Sequence, residues 1–134
     1  MKSHLSKGFI TLLIVFSLLC ANFVAGILFS VSYTRKVNQL TVNVNIAVND
    51  GMYEGEINLL VPKGLKVFVM EYQLGIIDEK GDMVQVFSQS VNSETRRLKV
   101  SFPVKKHMQN WKISGFVNVK VKHWWIEKFM TLRF

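Results

Sequence analysis

The chain has 134 residues, which is room for one domain of ordinary size rather than two. Its net charge is +8, from 17 Lys and Arg against 9 Asp and Glu, and it carries a single cysteine, Cys20. One cysteine excludes an intrachain disulfide and leaves no thiolate cluster for a structural metal. The charge is uneven along the chain. From Asp50 to Glu94 there are eight acids against Lys63, Lys66 and Lys80, whereas from Lys99 to Phe134 eight bases face Glu127 alone. Such a split suits solvated strand faces, or two ends of opposite sign that dock on a charged partner.

The first element is apolar. Between Lys7 and Arg35 lie 27 uncharged residues, of which 15 are Leu, Ile, Val or Phe. Phe9, Ile10, Leu12, Leu13, Ile14, Val15, Phe16, Leu18, Leu19, Phe23, Val24, Ile27, Leu28 and Phe29 form the predicted membrane span, over about residues 8–32. A helix of this length reaches about 40 Å at ~1.5 Å per residue, more than the ~30 Å hydrocarbon core of a bilayer. Each large apolar residue contributes roughly −0.3 to −0.6 kcal/mol near the bilayer centre, enough together to outweigh Asn22. The run is longer than a secretory leader, and Leu19 and Phe23 occupy the places where a cleavage site ending at Ala21 or Ala25 needs small residues. The expectation is therefore an uncleaved signal anchor over residues 1–36. The short basic leader with Lys2 and Lys7 predicts the N-terminus inside and the rest exported, although Arg35 and Lys36 follow the span.

Removing 36 residues from 134 leaves 98, and in these the pattern changes to strict alternation. Leu40, Val42, Val44, Ile46 and Val48 share one face, and Asn49-Asp50-Gly51 supplies a hairpin turn. Tyr53, Ile57, Leu59 and Val61 continue the scheme as far as Pro62, which cannot donate to a ladder and so belongs at a strand end. A longer strand places Phe68, Met70, Tyr72, Leu74 and Ile76 together, Asp78–Asp82 turns, and Met83–Phe87 returns. Residues 88–95 read as a polar loop. Leu98, Val100, Phe102 and Val104, then Val117, Val119 and Val121, then Met130, Leu132 and Phe134, supply three further inward rows. About seven strands with regular turns predict an all-β, antiparallel, immunoglobulin-like sandwich over residues 37–134, behind one transmembrane helix. Tyr33–Gln39 reads as a short linker.

Catalytic chemistry needs titratable groups brought together, and the sequence shows no such constellation. His4, His107 and His123 are isolated, no metal or cofactor motif is present, and the acids lack the spacing of calcium ligands. The expectation is a protein that is not an enzyme and has no cofactor. One local feature stands out, the aromatic-basic cluster from Lys120 to Phe129. Lys120, Lys122, His123, Trp124 and Lys128 are the candidate contact residues for a partner or a membrane surface. Basic residues interleaved with aromatics also grip single strands of nucleic acid, which an exported domain would rarely meet, so no nucleic-acid partner is expected. The structural alternative packs Trp125 in the core and Trp124 over a sheet edge, with lysines guarding that edge.

Two resemblances bear on the reading. Lys7-Gly8-Phe9 at the head of the apolar run resembles the processing site of type IV prepilins, with Leu13 where those subunits carry glutamate. That likeness implies an alternative role, a filament subunit processed after Gly8. From about Leu40 onward, Val61-Pro62-Lys63-Gly64, KVFVMEYQLGI, DEKGD, RRLKVSFPV and the closing ISGFVNVKVKHWWIEKFMTLRF resemble the type 2 late embryogenesis abundant, or WHy-domain, family. Val61 stands where that family has asparagine. The resemblance implies a seven-stranded sandwich, frequently membrane-anchored, tied to stress tolerance or lipid and protein contacts, with no active-site residues to carry over. The expected partners are the bilayer and other membrane or cell-envelope proteins, as in an accessory subunit of a membrane complex.

Overall fold

The computed structural model of the chain describes residues 6–105 and 109–134, so His4, His107, Lys2 and Lys106 lie outside the described residues. The described residues form helix α1 (Lys7–Asn38) and strands β1 (Thr41–Asn49), β2 (Met52–Leu60), β3 (Lys66–Ile77), β4 (Met83–Ser93), β5 (Arg97–Pro103), β6 (Lys112–His123) and β7 (Ile126–Arg133). The chain divides into two compact units, a helical one through Arg35 and a sheet unit from Lys36 to Phe134. Helix α1 begins at Ser6, whose hydroxyl accepts the Phe9 amide at 3.2 Å, an N-cap that satisfies one of the orphan donors of the first turn. It runs through the expected linker to Asn38, because nothing between Tyr33 and Asn38 is a Gly or Pro that would stop it.

The seven strands form an antiparallel sandwich of a three-stranded sheet, β1-β2-β5, and a four-stranded sheet, β4-β3-β6-β7. Alternation explains it: the inward rows Tyr53, Ile57 and Leu59, then Leu98, Val100 and Phe102, then Val117, Val119 and Val121 are all buried. The first hairpin is the one that its residues demand. Asp50 and Gly51 both take positive φ, 49° and 74°, in the two-residue turn between Asn49 and Met52. Asp78 closes the next turn by accepting the amides of Lys80 and Asp82, each at 2.9 Å.

Two elements depart from the alternation. In β3 the inward set is Val67 and Val69, then Tyr72, Leu74 and Ile76, so Phe68 and Met70 do not share the face of Tyr72. A register shift between Val69 and Glu71, against both β4 and β6, moves the phase by one residue at this point. That is the signature of a β-bulge. In β4 pairing continues through the residues expected to form a loop, with Glu71 opposite Ser90 and Val69 opposite Ser93. β4 is an edge strand with both faces largely open, so polar side chains there cost nothing in burial.

Beneath the far end of the sandwich lies an aromatic group. Tyr53 packs on Phe102 and Trp111 at 5.0 and 5.1 Å between ring centroids, and Phe102 stacks on Phe87 at 4.7 Å. The spacing is that of favourable ring pairs, and the group ties both sheets together. Tyr72 donates from its hydroxyl to Gln89 Oε1 at 2.8 Å. Burial raises the phenol pKa of both Tyr53 and Tyr72.

Candidate functional site

Helix α1 is long and apolar enough to cross a membrane, and none of its most hydrophobic window is buried by the rest of the protein. Phe9, Leu12, Leu13, Phe16, Leu18, Leu19, Phe23, Leu28 and their neighbours are exposed. Two of its polar side chains are accommodated within the helix: Thr11 donates to the Lys7 carbonyl at 3.0 Å and Ser17 to the Leu13 carbonyl at 2.8 Å. A hydroxyl satisfied by its own helix costs little in hydrocarbon, where an unsatisfied polar group costs several kcal/mol. The sheet unit, which takes in the last turn of the helix with its buried Val37, has its own filled core.

The second feature is the β6–β7 hairpin. His123 pairs with Ile126, so Trp124 and Trp125 alone make the turn. Their rings meet edge to face at 5.7 Å, and 69% of Trp124 and 74% of Trp125 is exposed. Trp125 is therefore at the hairpin tip and not in the core. Trp124 has φ 56°, a left-handed backbone that favours Gly, Asn or Asp and is an outlier for a bulky side chain.

His123 is not part of this surface. It is 6% exposed, and its Nδ1–H donates to the Gly64 carbonyl at 2.7 Å, which ties the hairpin base to the β2–β3 connection. Its place follows from the rule that buries Val117, Val119 and Val121, since two residues further along the strand is again inward. The outward positions carry the cations. Lys122 lies between Lys66 and Glu127, reaching Glu127 at 3.7 Å, and Lys120 lies between Phe68 and Phe129. Lys120 Nζ sits 5.2 Å from the Phe68 ring centroid, a cation–π distance, and Phe129 is exposed. Lys128 is opposite Val121, at the sheet edge. Of the expected contact residues, Lys120 and Lys122 thus share the outward face and Trp124 stands at the tip beside Trp125, whereas Lys128, in register with buried Val121, is on the opposite face at the exposed edge. Phe68, which borders Lys120, was not part of the expected cluster.

Antiparallel folding also sorts the charge by end. The end of the sandwich where β1 starts carries Lys36, Lys63, Lys66, Arg96, Lys122 and Lys128 against Glu94 and Glu127. The opposite end mixes Asp50, Asp78, Glu79 and Asp82 with Lys80, Lys105 and Lys112. Within the sheet unit, a Cβ built on Gly64 would lie 2.8 Å from Lys36 Nζ and 3.8 Å from His123 Cε1. The point where the helix joins the sandwich, the β2–β3 connection and the base of the tryptophan hairpin therefore share one end. Among the described residues no three His, Cys, Asp or Glu side chains gather as metal ligands would.

These features define a class, an antiparallel seven-stranded sandwich joined to a helix of membrane-spanning length. Compared with known proteins, the chain matches no family model, no curated protein and no solved structure.

Proposed function

We propose that the protein is a single-pass membrane protein whose sandwich serves a structural or partner-binding role at the membrane surface, with no chemistry of its own. The observation that carries this is a helix whose most apolar stretch is long enough to span a bilayer and is unburied, followed by a sheet unit with its own filled core. Left in water, fifteen large apolar side chains would drive aggregation; in a bilayer they stabilise the helix in place. A rigid, two-layer sandwich held there suits an accessory subunit of a membrane complex or a WHy-like envelope protein. The basic leader favours an N-terminus inside and an exported sandwich.

Labelling a single exposed cysteine tests this reading. With Cys20→Ser removing the native thiol, Lys80→Cys puts a thiol on the β3–β4 turn at the end of the sandwich away from the helix junction. A membrane-impermeant maleimide should label it on intact cells. Labelling only after lysis would place the domain inside and overturn the exported orientation.

A further inference from the structure

Trp124 and Trp125 call for a physical reason. Two adjacent indoles make up the whole of a two-residue turn, both largely exposed, with Trp124 held in a backbone region that bulky residues avoid. Exposed aromatic pairs and strained turn residues are both costly, and strain of this kind persists where the surrounding structure holds it for a use. Their position narrows that use. The tip projects from the end of the sandwich that the helix joins, and that end is the cationic one, with Lys36, Lys63, Lys66, Lys122 and Lys128 around it.

We propose that the Trp124–Trp125 tip is a second membrane contact, with both indoles lodged in the headgroup layer of the bilayer that α1 spans and the surrounding lysines facing anionic lipid. This rests on the membrane-anchored reading above. Tryptophan is the side chain that interfacial layers favour, because its ring is apolar and its N–H finds water or phosphate. Lysines beside it are drawn to a negative leaflet, at distances where salt still permits attraction. Phe129 and Phe68 extend the same apolar character up the outer face of the four-stranded sheet, with Lys120 between them. His123 supports the hairpin from behind by its bond to Gly64, so the tip is held at a fixed angle. A sandwich tied down at two points has its orientation set, where one on a single tether swivels.

Trp111 is a built-in reference. It lies just before β6, whose twelve residues separate it from the tip by roughly 35–40 Å at ~3.3 Å per residue. The full-length protein is reconstituted into phosphatidylcholine vesicles containing phosphatidylglycerol, with acyl chains brominated near the headgroup, and its tryptophan emission is compared with that in unbrominated vesicles. The expected result is a marked loss of emission that disappears in the Trp124→Ser/Trp125→Ser variant, whose remaining Trp111 reports from the far end. The loss should be smaller in vesicles lacking phosphatidylglycerol. Equal emission in both lipids, with wild-type tryptophans quenched by aqueous iodide, overturns lipid docking and leaves the anchor standing. Tryptophans shielded from iodide and bromine alike overturn it in favour of a protein contact. Protein that fails to float with the vesicles overturns the anchor itself and the docking with it.

Discussion

Gly115 sits near the start of β6, between β3 on one side and Phe134 on the other, and its replacement by alanine tests how tightly the sandwich is built. A Cβ there would fall on the Gln73 carbonyl oxygen and 3.0 Å from Cζ of the Phe134 ring. Gly115 is opposite Leu74, and it exchanges backbone hydrogen bonds with Phe134 at 3.0 and 3.1 Å. Neighbouring strands run about 4.8 Å apart, so the methyl group can be admitted only by parting β3 from β6. Overpacking costs about 1–3 kcal/mol and each lost ladder bond about 1 kcal/mol, which gives roughly 2–4 kcal/mol for Gly115→Ala. For a domain of this size that lowers the melting temperature by roughly 10–25 °C. The tryptophan band of the near-UV circular dichroism of the full-length protein in mild detergent follows the sandwich, which holds all three tryptophans. The comparison is Gly81→Ala, where φ is +88° and nothing lies within 4 Å of the added atom, so only backbone strain of about 1 kcal/mol applies. A Gly115→Ala protein that melts no lower than Gly81→Ala would refute the argument.

Further outcomes follow from the packing. Phe87 and Phe102 are stacked, so a double-mutant cycle with Phe87→Leu and Phe102→Leu should give a coupling of about 0.5–1.5 kcal/mol by urea unfolding, and additive effects would deny the contact. His123→Ala leaves the Gly64 carbonyl without the donor it has now, and should lower stability by about 1–3 kcal/mol in the same assay. Trp124→Ser should lower it by no more than about 0.5 kcal/mol, since the side chain is exposed. Burial raises the phenols of Tyr53 and Tyr72 above their ordinary 10.0, so the folded state holds these protons more tightly than the unfolded one. Stability from this source is therefore full below pH 10 and falls as pH rises above it. The double variant Tyr53→Phe/Tyr72→Phe should lose less stability over that range than wild type, and an equal loss in both would contradict the sign.

Much of the fold was legible because one physical rule, inward and outward alternation, governs five of the seven strands. The rule was ambiguous where it had too many apolar residues to choose from. In the run Val67-Phe68-Val69-Met70 either phase is apolar, so no pattern reveals that the bulge beyond Val69 reverses it. It was silent where the strand needed no apolar face, as in the polar second half of β4. At the hairpin the signal was present: His123 continues the inward phase of Val121, and the two residues after it fill a turn. What hid it was residue type, because tryptophan reads as core and histidine as surface, and here the two are exchanged. The sorting of charge by end was invisible along the chain, since it comes from antiparallel pairing that brings Lys36, Lys63 and Lys122 together from three distant segments.

A role at the membrane surface requires α1 to lie in a bilayer. Membranes from cells making the full-length protein, washed with alkaline carbonate, give the most direct measure of this. Such treatment strips proteins held by surface contacts alone and leaves spanning helices in place. The protein should stay in the membrane pellet, and a Leu13→Arg/Leu19→Arg variant, costing about 2.5–3.5 kcal/mol per charge near the span centre, should be depleted from it. Recovery of the wild-type chain in the carbonate supernatant at full length would contradict the account.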